Sequence, residues 1–271
     1  MFQWLRSTIS PPGSPWRKKW LATGNEAAPL FLLFLLFLWE LTVRLLKIEP
    51  WLLPAPTAIV QSLFKDWPAL RQHAGITLYE AIIGFTLSIA FAFALAWLMD
   101  SVSLVRRALY PLLVTSQTIP IISVAPLFLI WFGYGLVPKV LVVVLVCFFP
   151  VVVSFLQGLA AVDTEMIDLL RSMGAPPLLI FRLAKLPAAL PMFFSGLKIA
   201  ATYSIMGAVI GEWLGAEAGL GYYMTLSQRS FLTARVFAII AVITVLSLGL
   251  FKLIETLERV LTPWTRWQEE S

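Results

Sequence analysis

Charged side chains are scarce in this sequence: Asp, Glu, Lys and Arg make up only 13% of its 271 residues, whereas 59% are hydrophobic. Soluble domains carry about a quarter charged residues and closer to half apolar ones. The shortage of charge therefore excludes an ordinary soluble fold and predicts an integral membrane protein. The sequence also has no long polar segment that could form a second domain, so one membrane domain is expected.

Cysteine and histidine are almost missing, with one of each, Cys147 and His73. A lone cysteine cannot form an internal disulfide, and a lone histidine cannot build a histidine-based metal site. His73 precedes an apolar run and is predicted to be solvated at the outer surface. GxSxG, paired-cysteine motifs and the phosphate-binding loop GxxxxGK[ST] are missing too. The sequence therefore predicts no catalytic residue, no metal and no cofactor, and ATP hydrolysis would need a partner.

Long apolar runs are what the sequence has instead. A membrane-spanning helix needs about 20 mostly apolar residues, whereas an outer-membrane barrel would show short alternating segments. The sequence therefore predicts an all-α, polytopic membrane protein with about six transmembrane helices. The predicted spans are 29–48, 76–99, 108–132, 138–160, 191–212 and 234–257. No small-residue cleavage pattern follows the first run, which favours a retained helix over a signal peptide.

The distribution of basic residues predicts the orientation. Cytoplasmic loops of membrane proteins are enriched in Lys and Arg. With the N-terminus inside, the inner segments carry 13 of these residues and the outer segments five. Both termini are therefore predicted to be cytoplasmic, and the scatter of basic residues argues against nucleic-acid binding despite the net charge of +5. The predicted parts are a basic arm (1–28), a transmembrane domain (29–260) with a cytoplasmic loop (161–190), and a cytoplasmic tail (261–271).

The third apolar run contains Pro111, Pro120 and Pro126, which predict a kinked or broken helix because proline removes a helical hydrogen bond. Backbone groups freed in this way must be buried in protein or face water. Gln117, Pro120 and Ser123 are therefore predicted to line a translocation pathway. A kinked packing helix without a pathway role is the alternative.

The fifth apolar run is rich in small residues. They recur every four positions at Gly196, Ala200, Ser204 and Ala208, with a GxxxG pair at Gly207 and Gly211 beside them. Small residues at this spacing let helices approach closely, which predicts a central packing helix, either within the chain or at a subunit interface. Tyr203, Ser204 and Glu212 on this run are further predicted pathway residues.

A few charges interrupt the apolar runs. Glu40 and Arg44 have the i, i+4 spacing of a helical ion pair, and Glu80 near the start of the second run is a similar case. Such pairing lowers the cost of a charge at the membrane, although intramembrane charges also mark functional sites. Glu212 and Glu217 flank the glycine-rich stretch GEWLGAEAGLGYY, which we interpret as a gate or docking element.

A polar segment interrupted by glycine and proline lies between the fourth and fifth apolar runs. Asp163 can cap a helix over 164–173, which Gly174 would end in a left-handed conformation. An apolar stripe follows the spacing i, i+3, i+4, i+7 at Met166, Leu169, Leu170 and Met173. A second helix is predicted over 177–185, ended by LPAALP. This helix–turn–helix is suited to a groove on a partner protein, and a loop lying on lipid headgroups is the alternative.

The same segment resembles the cytoplasmic loop of binding-protein-dependent ABC-transporter permeases. That loop has Glu-Ala-Ala, three residues, Gly, nine residues, Ile, one residue and Leu-Pro. The corresponding positions here are Asp168, Leu169, Leu170, Gly174, Ala184, Leu186 and Pro187. Gly174, Leu186 and Pro187 match by identity and Asp168 is a conservative change, whereas the other three positions depart from the pattern.

The resemblance extends over most of the chain through LLPAPTAIVQSL, PLFLIWFGYG, GLK and GEWLGAEAGLGYY, which are similar to permeases of the nitrate, sulfonate, taurine and thiamine-precursor class. It implies a type I ABC importer permease-like fold in the bacterial cytoplasmic (inner) membrane. The implied partners are two copies of a cytoplasmic ABC ATPase, an extracytoplasmic binding protein, and a second permease subunit in an expected homodimer. The residues implied to couple to the ATPase are Met166, Asp168, Leu169, Leu170, Arg171, Met173, Gly174, Leu186 and Pro187.

The predicted pathway is apolar and hydroxyl-bearing, with Tyr203 and Trp131 near its ends and no cluster of fixed cations. This lining favours a flat heterocycle, such as a thiamine-related pyrimidine or riboflavin, over nitrate, sulfonate or taurine. Two other classes stay open: a secondary transporter driven by an ion gradient, and a membrane scaffold. A secondary transporter would be expected to show deeper intramembrane acids and repeated halves, and neither is evident.

Overall fold

A computed structural model describes residues 24–264, with side chains from residue 29 onwards. Every regular element in this part of the chain is helical. In chain order these are α1 (Gly24–Leu45), α2 (Pro56–Lys65), α3 (Trp67–Ser101), α4 (Ser103–Ser116), α5 (Ile121–Phe132), α6 (Leu136–Ala160), α7 (Thr164–Ser172), α8 (Pro177–Ile180), a π-helical turn (Phe181–Lys185), α9 (Leu186–Trp213), α10 (Leu220–Arg229) and α11 (Thr233–Leu261). The predicted arm and tail lie largely outside the described residues.

Four helical segments of the described chain are long and apolar enough to cross a membrane: α3, α6, the continuous segment Pro177–Trp213, and α11. A fifth is obtained if the bent pair of α4 and α5 counts as one span. The sequence predicted about six. The difference lies at the first predicted span, 29–48, most of which falls in the 22-residue helix α1.

The predicted break in the third apolar run is confirmed. Helix α4 ends at Ser116 and α5 begins at Ile121, and their axes differ by 101°. Pro120 occupies the extended position just before α5, with ψ of 119°. Proline favours a helix break here because it provides no N–H for a bond to the preceding turn and its ring clashes with that turn. The other prolines of this run lie inside the two short helices.

Small residues bring the central helices together, as predicted. Helix α9 packs most extensively against α6, and α6 also packs against α3. Gly196 faces the backbone of α6 so closely that an added Cβ would lie 2.6 Å from the carbonyl oxygen of Pro150. An added Cβ at Gly211 would lie 2.9 Å from the Cα of Lys139. The small-residue face of α9 is therefore used within the chain.

The predicted end of the second hairpin helix is wrong. Helix α8 does not stop at LPAALP but continues through the π-helical turn into α9, where the N–H of Leu186 donates to the carbonyl of Phe181. Pro187 falls in the first turn of α9, where a missing N–H is tolerated. The wider turn before it also makes room for the proline ring, which would otherwise clash with the preceding turn. The predicted loop at 161–190 is therefore a hairpin whose second arm is the root of a membrane-spanning helix.

Two ion pairs mark one end of the bundle, and the direction of α9 then identifies the opposite end. Lys185 Nζ lies 2.8 Å from Asp100 Oδ2, which joins the hairpin to the last residues of α3. Lys198 binds Glu258 at 2.8 Å near the end of α11. Because α9 runs away from the hairpin, its last residues and the glycine-rich loop lie at the other end. We call these the hairpin end and the loop end.

Candidate coupling site and loop-end network

Helix α7 forms as the sequence predicts. Asp163 Oδ1 accepts a hydrogen bond from the backbone N–H of Glu165 at 2.9 Å and so caps the helix. Gly174 has φ of +79°, the left-handed conformation predicted for it. Its N–H and that of Ala175 donate to the carbonyls of Arg171 and Leu170 at 2.9 and 3.0 Å, which closes the helix. The hairpin is thus fixed by local hydrogen bonds.

The apolar stripe of α7 is uncovered in the single chain. Met166, Leu169 and Met173 are 52%, 58% and 75% exposed, whereas Leu170 is half-buried. Apolar side chains at these positions lie on a helix outside the membrane-spanning segments. A contiguous exposed apolar face of this kind marks an interaction surface.

Polar residues border the stripe. Asp168 and Arg171 pair with each other at 3.1 Å, and both side chains are about two-thirds exposed. An ion pair this exposed contributes little stability, so both groups are available to a partner. Leu186 and Pro187 are half-buried at the root of α9 and do not share the exposed face. The structure therefore brings the predicted residues from Met166 to Gly174 together and places the Leu-Pro pair apart from them.

The six predicted pathway residues fall into two groups. Gln117, Pro120 and Ser123 lie exposed at the break between α4 and α5, and Tyr203 is 43% exposed on α9. Ser204 and Glu212 are buried in the bundle. The hydroxyl of Ser204 donates to the carbonyl of Ala201 in its own helix.

Glu212 is the centre of a buried polar network at the loop end. Its Oε1 accepts a hydrogen bond from the hydroxyl of Thr77 at 2.6 Å, and its Oε2 accepts one from the backbone N–H of Gly221 at 2.5 Å. Thr77 Oγ1 in turn accepts from the N–H of Leu220 at 2.8 Å. Burying a carboxylate is tolerable only with such partners. The network joins α3, α9 and α10.

Two residues of this network were not recognised from the sequence. His73 was predicted to be solvated, and this is wrong: it is half-buried and its Nδ1 accepts a hydrogen bond from the N–H of Gly219 at 3.1 Å. Its ring also stacks on Tyr223 at 4.8 Å between centroids. Thr77 by itself did not stand out, because an isolated threonine in an apolar helix is common. The i, i+4 spacing of His73 and Thr77, which places them on one helix face, is the signal that could have indicated a shared site.

Glu40 and Glu80, the other acids noted in the first two apolar runs, are paired with basic residues. Glu80 binds Lys139 at 2.6 Å, with both side chains largely buried, and this pair links α3 to α6. Glu40 binds Arg44 at 2.6 Å, as its spacing predicts, and also accepts from the N–H of Thr57 at the start of α2. These contacts give both acids a structural role.

Residues 84–267 match the family of binding-protein-dependent transport system inner membrane components, which is more than half of the chain. The chain belongs to this family and is a permease subunit of an ABC importer, a multi-pass protein of the inner membrane. Membership implies a partner ATPase and a binding protein.

Named relatives cover nearly the whole chain. It is 40% identical to the formylaminopyrimidine transport permease ThiX of Halalkalibacterium halodurans, over 88% of this chain and 96% of the relative. It is 34% identical to the riboflavin transport system permease RibX of Chloroflexus aurantiacus, over 92% of each. It is 30% identical to the taurine transport system permease TauC of Escherichia coli, over 85% of this chain and 86% of the relative.

Solved structures share the fold. An amino acid ABC transporter chain matches with a TM-score of 0.58 and 17% identity, covering 75% of this chain and 97% of the other. A chain of the inward-facing methionine ABC transporter MetNI matches with a TM-score of 0.53 and 19% identity, covering 78% and 99%. The type I ABC importer permease architecture expected from the sequence is thus confirmed.

Proposed function

We propose that this chain forms half of the membrane pathway of an ATP-driven importer and carries a flat heterocycle, a thiamine-precursor pyrimidine or riboflavin, delivered by an extracytoplasmic binding protein. The observation that carries the coupling part of this proposal is the exposed apolar stripe on α7, on a hairpin that continues into the spanning segment Pro177–Trp213. A separate ATPase supplies the energy.

The stripe is suited to a cleft on the ATPase. Fully burying a Leu or Met side chain contributes roughly 1.5–3 kcal/mol, so Met166, Leu169 and Met173 together provide a strong anchor. Asp168 and Arg171 at its border would exchange their exposed mutual pair for polar contacts with the partner. The half-buried Leu186 and Pro187 support the hairpin from its root.

Two copies of this chain and two ATPase subunits make the proposed complex. ATP binding would close the ATPase pair, the two hairpins would move with it, and the bundles would rock between inward-open and outward-open states. The exposed break between α4 and α5, with Gln117, Pro120 and Ser123, and the exposed Tyr203 are the proposed pathway surfaces.

The substrate proposal rests on two supports. The proposed pathway surface holds hydroxyl, amide and aromatic groups and no cluster of cations, which favours a neutral ring over a sulfonate or nitrate. The relatives named above for formylaminopyrimidine and riboflavin share 40% and 34% of aligned residues with this chain, against 30% for the taurine permease.

Co-purification with an ATPase and ATP-dependent uptake test the proposal together. The complex of permease, ATPase and binding protein is placed in liposomes, and uptake of a labelled aminopyrimidine, riboflavin and taurine is measured with and without ATP. We expect ATP-dependent uptake of one of the two heterocycles and none of taurine. Uptake that follows an ion gradient without ATP would indicate a secondary transporter, and ATPase binding without any uptake would indicate a scaffold; either result contradicts the proposal.

The proposed orientation places both termini, the arm at 1–28 and the tail at 261–271 in the cytoplasm. Arg171→Cys and Glu217→Cys variants in a Cys147→Ala background test it. A membrane-impermeant thiol reagent applied to intact spheroplasts should label the cysteine at 217 and not the one at 171. Permeabilised cells provide the control, because both cysteines should then react, and the reverse pattern in intact cells would overturn the orientation.

A further inference from the structure

Helix α10 begins inside the protein and not at its surface. Its first two residues, Leu220 and Gly221, are buried. The first N–H groups of any helix have no partner within that helix. A buried helix start therefore needs acceptors from elsewhere in the chain, and Gly219, the residue before α10, has no side chain to provide one.

The missing acceptors come from two other helices. His73 and Thr77 on α3 accept from the N–H groups of Gly219 and Leu220, and Glu212 at the end of α9 accepts from the N–H of Gly221. The positive end of the α10 dipole also favours the acidic side chain of Glu212. The start of α10 is thus capped by three side chains that belong to the spanning helices.

Two glycines, Gly219 and Gly221, pack closely against the Glu212 side chain. Gly219 has φ of +113°, and a Cβ on it would collide with the carboxylate itself. A Cβ on Gly221 would lie 3.0 Å from Glu212 Cβ and 3.0 Å from its Oε2. The two glycines therefore let the carboxylate lie directly against the backbone of α10, and a displacement of α3 against α9 would strain the hydrogen bonds that Thr77 makes to both Glu212 and Leu220.

We propose that Thr77 and Glu212, with His73, are positioning residues that latch the loop between α9 and α10 to the bundle, and that release of this latch accompanies opening of the loop end during transport. The proposal rests on the proposed function, because it assigns the latch to the closed loop end of an alternating-access permease. Thr77 is the link between the helices, since its hydroxyl touches both Glu212 on α9 and the backbone of α10.

Thr77→Val tests the latch, because valine keeps the shape of threonine and lacks its hydroxyl. Thr77→Ser is the matched control, because it keeps the hydroxyl. The first readout needs no ATPase: thiol labelling of Ser227→Cys, a buried position on α10, in the Cys147→Ala background. We expect Thr77→Val to increase the labelling rate about tenfold, since leaving buried groups without their hydrogen-bond partner costs roughly that factor, while Thr77→Ser stays near the parent rate.

The second readout is ATP hydrolysis by the assembled complex in the absence of binding protein. Weakening the closed loop end shifts the population towards the open state, so unstimulated hydrolysis should rise several-fold in Thr77→Val and not in Thr77→Ser. A purely structural network would instead lower thermal stability and assembly while leaving both the labelling rate and unstimulated hydrolysis unchanged, which would overturn the latch. A failure of the parent chain to bind any ATPase would overturn the proposed function, and the labelling result would still decide whether the latch exists.

Discussion

Replacing Leu169 and Leu170 together by Asp should abolish ATP-driven uptake while the permease still reaches the membrane. The exposed Leu169 side chain would lose its burial in the ATPase cleft, worth roughly 1.5–3 kcal/mol. Two carboxylates would also be forced into an apolar groove without partners. Retention of the ATPase in detergent should fall at least ~100-fold, since each 1.4 kcal/mol corresponds to a factor of ten.

The controls separate the interface from the hairpin itself. Ala161→Asp with Thr164→Asp adds the same charge at exposed positions beside the stripe and should leave retention near normal. Leu170 is half-buried against its own chain, so the single variant Leu169→Asp repeats the test at a residue with little internal packing. Normal ATPase retention and normal uptake by the double variant would remove the support for the coupling role of α7.

Replacing Gly196 by Val should prevent stable folding of the bundle. The added Cβ would lie 2.6 Å from the carbonyl oxygen of Pro150 and 2.8 Å from Ser154 Cβ, so α6 and α9 would have to separate. Overpacking in a protein core usually costs about 1–3 kcal/mol, and we expect a loss at or above the upper limit because a backbone atom is in the way. The measurement is the yield of monodisperse protein and its thermal unfolding midpoint in detergent.

Gly249→Val is the matched control, because Gly249 also lies inside a membrane helix and an added Cβ there meets no atom within 4 Å. The loss of glycine and the helix propensity of valine are the same in both variants. Equal stability of the two variants would show that α6 and α9 can separate at low cost, contrary to the close approach at Gly196.

The sequence was sufficient for the limits of α7 and for the packing face of α9, which depend on neighbouring residues. Asp163 and Gly174 delimit α7 through contacts within a few positions, and both boundaries were predictable to within one residue. The small-residue spacing of Gly196 and Ala200 likewise predicted a buried face, because spacing along a helix fixes which side chains share a face. The apolar runs predicted the spanning helices for the same reason.

The sequence was insufficient where the outcome depends on tertiary packing. Pro120 lies at a helix break, just before α5, whereas Pro150 and Pro191 lie inside long helices that continue, and local rules treat the three alike. Membrane helices tolerate an internal proline when neighbouring segments satisfy the freed groups, and those neighbours are not visible in one segment of sequence. The partners Thr77 and Glu212 are 135 positions apart, so no local sequence pattern indicates their contact.

The uninterrupted course of the segment Pro177–Trp213 has a mechanical consequence. Its 37 residues form a rod about 55 Å long at 1.5 Å per residue. Tilting a rod of that length by ten degrees about its midpoint displaces each tip by about 5 Å in opposite directions. A displacement of the hairpin would therefore appear at Glu212 as a movement of similar size and opposite sense.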